Sequence, residues 1–381
     1  MPPTVIDIRT TDDLRDVVHR AVQALAEGKV VAFPTETVYG LAASALNADA
    51  VAALLDAKGR DKNHPLALAI KSADEALDYV PDMPVLGRRL ARRCWPGPVT
   101  IVMEDNHPQG LLQQLPDSVR QAVCPNGTLG LRVPAHEVIL SVLRLLAGPL
   151  VLTSANKSGE PDAATAEDVV TNLGDAVELV LDDGQSQYGQ PSSVIQVADG
   201  EIKILRAGVV TESTLRWLSS LMVLIVCTGN TCRSPMAEVL LKKRIAERLG
   251  IEIGELEQRG IVVMSAGIAA MAGAQPTPEA VQVAAQCGLD LSTHESQPLS
   301  DRLVRHADEI LTMTRSHREA IVIQWPHAAD RTHVFCEDGK DISDPIGGPI
   351  ELYRRCADQI DSQLESLIEN WDFREPKIIS A

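Results

Sequence analysis

Cys227 and Arg233 enclose five residues, Thr228-Gly229-Asn230-Thr231-Cys232, and Ser234-Pro235 follow directly. The stretch lies between an apolar run and a helical pattern. In a strand–loop–helix setting, the loop's N–H groups and the helix N-terminus cradle a tetrahedral oxyanion. Arg233 can grip two phosphate oxygens with its planar fork. The same positive field favours the thiolate, which makes Cys227 a nucleophile. Gly229 is expected to permit the tight curvature. Asn230 is placed to brace the loop, and Ser234 fits the N-cap position with Pro235 at the first helical position. A cysteine and an arginine at this spacing also suit a buried thiol beside a helix cap. The preceding strand, the cap and the later acid Asp344, ahead of Pro345, favour the catalytic reading. By itself Asp344 reads as a turn residue before proline.

The first half carries short polar motifs at the ends of its expected elements. Thr35 lies in Pro34-Thr-Glu-Thr-Val-Tyr-Gly40, and Lys58 and Arg60 flank a glycine. Arg132 precedes Val133-Pro134, Ser154 and Asn156 flank an alanine, Ser193 ends Pro191-Ser-Ser, and Arg206 precedes Ala207-Gly208. Each alone suits a solvated charge, a cap or a turn. Together they supply the cations and hydroxyls that an anionic small ligand needs.

Periodicity places these motifs. Helices are expected over 12–27, 48–58 and 137–146, and strands over 30–33, 66–70, 99–103, 129–133 and 150–153. A hairpin over 192–197 and 202–206 should turn at Asp199-Gly200. From 222 the pattern restarts, with strands at 222–226, 262–264, 309–313 and 333–335 alternating with helices such as 235–249 and 278–287. Such alternation implies a parallel sheet. The chain is thus α/β with two domains, 1–210 and 222–381, joined by a short helix in 211–221.

The 381 residues carry 35 Lys+Arg against 52 Asp+Glu. Both halves are acidic, with 19 basic and 28 acidic residues up to 220 and 16 and 24 beyond. Aromatics are 3%. This disfavours a dedicated nucleic-acid binder, which relies on a basic surface and stacking platforms. No apolar run approaches the ~20 residues of a membrane span. Seven cysteines without a CxxC pair suit a reducing cytoplasm and no structural zinc. Cys232, inside the loop, suits either a reversible disulfide with Cys227 under oxidation or a packed thiol.

The stretch 227–238 resembles the signature of the low-molecular-weight protein tyrosine phosphatases. The likeness continues through Ser265-Ala-Gly267, 294–300, 307–314 and Asp344-Pro345. It implies a flavodoxin-like parallel sheet, no metal, attack by Cys227, phosphoryl binding by Arg233 and the loop 228–234, and Asp344 as general acid. Two departures bear on substrate. Thr231 replaces a bulky aliphatic residue, and Ile346-Gly347-Gly348 replaces ring-binding aromatics. Both resemble the bacterial protein-arginine phosphatases, so phosphoarginine is preferred, with phosphotyrosine as the alternative.

The first-half motifs resemble the YrdC/TsaC family of threonylcarbamoyl-adenylate synthases over about 10–210. The resemblance implies a twisted open α/β sheet and ATP, L-threonine and bicarbonate as substrates, with Mg²⁺ accompanying ATP. It also implies a link, through the product, to downstream tRNA threonylcarbamoyl-transfer proteins. Lys58, Arg60, Ser154, Asn156, Ser193 and Arg206 would bind the nucleotide, and Thr35 and Arg132 the threonine. A non-catalytic RNA-binding module is the alternative for this half. The expected whole is a bifunctional cytoplasmic enzyme.

Overall fold

In the first half, strand alternation separates a packed core from an open cavity. On the strand Thr128–Arg132, Leu129 and Leu131 are fully buried, while Thr128, Gly130 and Arg132 line a cavity on the opposite face. Successive side chains of a strand point to opposite faces, so one five-residue pattern serves both purposes. The computed structural model describes residues 2–59, 65–105, 107–369 and 371–380.

Contacts divide the chain into Met1–Leu218 with Pro376–Ala381, and Ser219–Glu375. In chain order the first unit holds β1 (Thr4–Asp7), β2 (Val31–Phe33), β3 (Gly40–Ser44), β4 (Ala67–Ala69), β5 (Val99–Glu104), β6 (Thr128–Arg132), β7 (Leu150–Ser154), β8 (Leu179–Asp182), β9 (Ser193–Ala198) and β10 (Glu201–Arg206). The second holds β11 (Leu221–Cys227), β12 (Ile261–Gly267), β13 (Glu309–Thr312) and β14 (Thr332–Val334). The chain then returns to the first unit as β15 (Lys377–Ser380).

Among the described residues the first unit forms one eleven-stranded mixed sheet of order β1-β8-β2-β3-β7-β4-β6-β5-β9-β10-β15. One face packs Leu41, Leu68, Ile101, Leu131 and Ile195 into the main core. On the other, helices Leu14–Ala26 and Glu137–Leu145 cover Val31, Phe33, Ala42 and Leu150. The rest of that face, toward β5, β9 and β10, is the cavity wall. The β9–β10 turn uses Asp199 at φ 51° and Gly200 at φ 78°, the paired left-handed geometry of a two-residue hairpin.

The second unit is a parallel sheet of order β12-β11-β13-β14. Every residue of β11 is buried. Val223, Ile225 and Cys227 face one core cluster, and Leu224 and Val226 face the other. Burial on both faces explains the unbroken apolar run. The order is flavodoxin-like, and the loop after β11 leaves the sheet where the connections switch sides.

Three local expectations are corrected. The second domain was expected to run to 381, but β15 pairs with β10 in the first unit's sheet. The helix after the loop is Arg233–Leu249 with Cys232 at its N-cap, so Ser234 does not cap it and Pro235 is its third residue. Proline is tolerated there because first-turn N–H groups have no intrahelical partner. The left-handed residue of the loop is Asn230, at φ 55°, rather than Gly229. Asparagine tolerates this conformation better than other non-glycine residues. The connecting helix lies at Glu212–Ser219.

Candidate active sites

The phosphate loop converges on one sulfur. Cys227 Sγ receives the Asn230 N–H at 3.2 Å and lies 3.0 Å from Ser234 Oγ. Asn230 Nδ2 donates to Ser234 Oγ at 2.9 Å and Ser265 Oγ at 2.8 Å, while its Oδ1 accepts from the Gln297 N–H at 2.9 Å. Ser265 in turn donates to Glu238 at 2.6 Å, and His294 Nε2 meets the Asn230 carbonyl at 3.0 Å. Asn230, Ser234 and Ser265 are almost fully buried, so these bonds fix the loop before any ligand arrives. Gly267 is required by proximity. A Cβ there would lie 2.5 Å from the Thr228 carbonyl oxygen and 3.0 Å from the Asn230 nitrogen.

Arg233 Nη2 meets Asp344 Oδ2 at 2.5 Å and Thr228 Oγ1 at 3.4 Å. The Asp344 side chain is 42% exposed and that of Arg233 only 6%, so the acid sits on the solvent side of the pair. Thr228 Oγ1 also meets His317 Nε2 at 2.9 Å, a buried histidine the sequence reading did not single out. Thr231 Oγ1 lies 3.6 Å from Cys232 Sγ, which also contacts Thr277 Oγ1 and Tyr353 Oη. Burial pushes the Cys356 thiol up to about 12 and leaves it a packing residue.

In the first unit, Lys58 ends a helix whose C-cap is the left-handed Gly59. Its ammonium is buried and donates to the Ser154 carbonyl at 2.8 Å and Asn156 Oδ1 at 2.9 Å; Ser154 Oγ donates to Asn156 Oδ1 at 2.6 Å. The two separate motifs therefore form one cluster at the end of β7. Beside it lies a cavity of about 410 Å³, lined by Thr35, Arg132, Ser154, Ser192 and Arg206 among others. Arg132 is held by Glu36 Oε1 at 2.7 Å and Thr37 Oγ1 at 2.9 Å, and Glu36 Oε2 accepts the Ala135 N–H at 2.9 Å. Thr35 Oγ1 donates to the Val38 carbonyl at 2.6 Å.

Arg206 reaches the cavity through a register shift. Ile204 faces Ile195, but Arg206 faces Val194, so Leu205 is an extra residue against β9. Regular alternation would place Leu205 opposite Val194 and turn Arg206 toward the core. Bulges re-aim side chains in this way beside ligand sites. Arg206 is exposed as a residue, but partial desolvation of its guanidinium lowers its pKa, with Asp162 opposing the shift and Arg132 adding to it. It donates to the Ser192 carbonyl at 2.8 Å and Ser192 Oγ at 3.0 Å.

Not every expected residue reaches the cavity. Ser193 is fully buried on the core face, exchanging hydrogen bonds with Val210 at 3.0 Å. Its neighbour Ser192 is the one on the wall, one step away by strand alternation. Arg60 lies outside the described residues. Glu36, Ser192 and Thr37 were missed as individual positions, although the motifs containing them were noted.

A family model described as "Telomere recombination", covering Sua5, YciO and YrdC proteins, matches residues 23–208. A model described as "Low molecular weight phosphotyrosine protein phosphatase" matches 222–375. A putative threonylcarbamoyl-AMP synthase of Mycobacterium tuberculosis is 37% identical over 195 residues, 51% of this chain and 85% of that protein. A protein-arginine-phosphatase of Geobacillus stearothermophilus is 36% identical over 152 residues, 39% of this chain and 93% of that protein.

The chain belongs to both families.

It joins a domain of the Sua5/YciO/YrdC family to a domain of the low-molecular-weight phosphatase family. The synthase from Pyrococcus abyssi is 36% identical over 48% of this chain, which spans 52% of that protein's length. A solved double variant of Pyrococcus abyssi Sua5 shares the fold at a TM-score of 0.50 and 25% identity, covering 69% of this chain and 91% of its own. The first domain contains the Lys58–Ser154–Asn156 cluster and its cavity; the second contains Cys227, Arg233 and Asp344.

Proposed function

We propose that the first domain makes threonylcarbamoyl-AMP from L-threonine, bicarbonate and ATP with release of pyrophosphate. The observation that carries this is the convergence of Lys58, Arg132 and Arg206 on one cavity and its rim. Adenylation spreads negative charge over phosphate and carboxylate, which fixed cations stabilise without reorganising. Lys58, Ser154, Asn156 and Arg206 take the nucleotide side. Arg132, oriented by Glu36, and Thr35 take the threonine side. Arg60 is assigned to the nucleotide by resemblance alone. ATP would enter as its Mg²⁺ complex. Mg²⁺ in such a complex is held mainly by phosphate oxygens and water, with one or two carboxylates at most. The test is pyrophosphate release that requires both threonine and bicarbonate. Tight, salt-sensitive RNA binding without release would instead support a binding module.

In the same reading the second domain hydrolyses phosphoproteins, with phosphoarginine preferred. Cys227 sulfur attacks phosphorus while Arg233 holds the phosphoryl oxygens. Asp344 protonates the departing guanidine nitrogen, and then takes a proton from the water that cleaves the cysteinyl phosphate. Two features support the arginine preference: the hydroxyl of Thr231 and the lack of aromatic residues at Ile346-Gly347-Gly348 after the acid. Thr231→Ile should lower kcat/KM for phosphoarginine about tenfold or more and shift the ratio toward phosphotyrosine. A wild type that strongly prefers phosphotyrosine refutes the assignment. Free thiols at all seven cysteines suit the reducing cytoplasm we assign to the enzyme, with downstream tRNA-modification proteins receiving the adenylate.

A further inference from the structure

The strand β15 adds to β10 in parallel, pairing Glu201 with Lys377, Ile202 with Ile378, Lys203 with Ile379 and Ile204 with Ser380. The ladder ends at Ile204, one residue before the extra residue Leu205. β10 is therefore paired on both sides up to the point where its register shifts, and Arg206 follows directly. Ile378 packs against the main core beside the fully buried Ile202. Lys377 and Glu201 add an exposed ion pair at 3.3 Å.

We propose that β15 is a positioning element for the nucleotide site, restraining the stretch of β10 that leads directly into Arg206. Without it β10 becomes the edge of the sheet, and Glu201–Ile204 is held by β9 alone. Backbone hydrogen bonds of a strand paired on one side open more readily than those of a strand paired on both. The short arm of Leu205 and Arg206, both on the cavity wall, is then anchored less firmly. The same strand leaves the phosphate loop untouched, since Cys227, Arg233 and Asp344 belong to the other unit.

The inference rests on the synthase reading for its kinetic test, and a second readout is independent of it. A chain stopped after Glu375 and the full chain with Ile378→Asp should each raise the KM for ATP at least fivefold. The kcat of pyrophosphate release should change less than twofold, and phosphatase kcat/KM should stay within twofold of the unaltered chain. Ile378→Val should restore the ATP KM, and Lys377→Ala, which removes only an exposed pair, should not alter it. Amide hydrogen exchange across 201–208 should quicken at least tenfold in both disrupted chains, whatever nucleotide chemistry the domain performs. An unchanged ATP KM in the disrupted chains, or a parallel fall of kcat and phosphatase activity, overturns the proposal. So does unchanged exchange across 201–208. If the full chain releases no pyrophosphate while exchange still quickens, the synthase reading fails and the strand's hold on this arm stands.

Discussion

Asn230 commits both ends of its amide to the phosphate loop, and its backbone adopts the left-handed turn that aims its N–H at Cys227 sulfur. An alanine there removes three buried hydrogen bonds and makes the same turn costly. We expect Asn230→Ala to lower stability by about 2 kcal/mol and phosphatase kcat/KM about a hundredfold. Asn230→Gly should recover part of the stability but not the rate, because it restores the turn without the amide; denaturation and steady-state kinetics separate the two. His317 offers a pH-dependent counterpart. Burial, with Arg233 nearby, lowers its basicity from the ordinary 6.5, while Asp344 and Asp341 oppose the shift. The unfolded chain therefore binds this proton more readily than the folded one. The stability tied to neutral His317 is complete above about pH 6.5 and is lost as pH falls toward the lower folded value. A melting-temperature profile from pH 7.5 to 5 should show a shallower acid limb in His317→Asn than in the unaltered protein.

Glycines at close approaches act on whole elements. A Cβ at Gly267 would meet the Thr228 carbonyl at 2.5 Å, and one at Gly208 would meet the Pro191 carbonyl at 2.4 Å. Neither clash can be relieved by moving a flexible side chain. Gly267→Ala should cut phosphatase kcat/KM at least tenfold and spare the synthase. Gly208→Ala should push back the segment carrying Ser192 and raise the KM for ATP several-fold, sparing the phosphatase. Assaying both reactions on each variant checks the pair. The same scale shows what the sequence made legible. The continuous apolar run ending at Cys227 announced a strand buried on both faces, and Asp199-Gly200 announced its hairpin. β3 was missed because Gly40–Ser44 is short and rich in small residues, and β15 because four residues after an irregular, charged stretch give little periodicity. The phosphate loop was readable because its residues are consecutive. The proposed adenylate site was readable only as scattered motifs, since neighbouring strands of its sheet are distant in sequence. Ser192 and Ser193 could not be told apart, because strand phase alone decides which faces the cavity.

The two proposed catalytic sets share no residue, so each activity should be separable within the whole chain. Cys227→Ser should abolish phosphoryl hydrolysis while phosphate binding and pyrophosphate release persist. Lys58→Ala should lower threonine-dependent pyrophosphate release at least a hundredfold and leave hydrolysis unaltered; one assay panel on both variants decides this. The connectivity has a further consequence for biosynthesis. Because β15 follows the phosphatase domain in sequence, a nascent chain completes β10 long before the strand that flanks it is made. At about 5–20 residues per second, that interval is roughly 10–35 seconds. During translation the synthase sheet thus presents an uncovered β10 to whatever strands are nearby on the polysome. Its last ladder closes only after the phosphatase sequence has been synthesised.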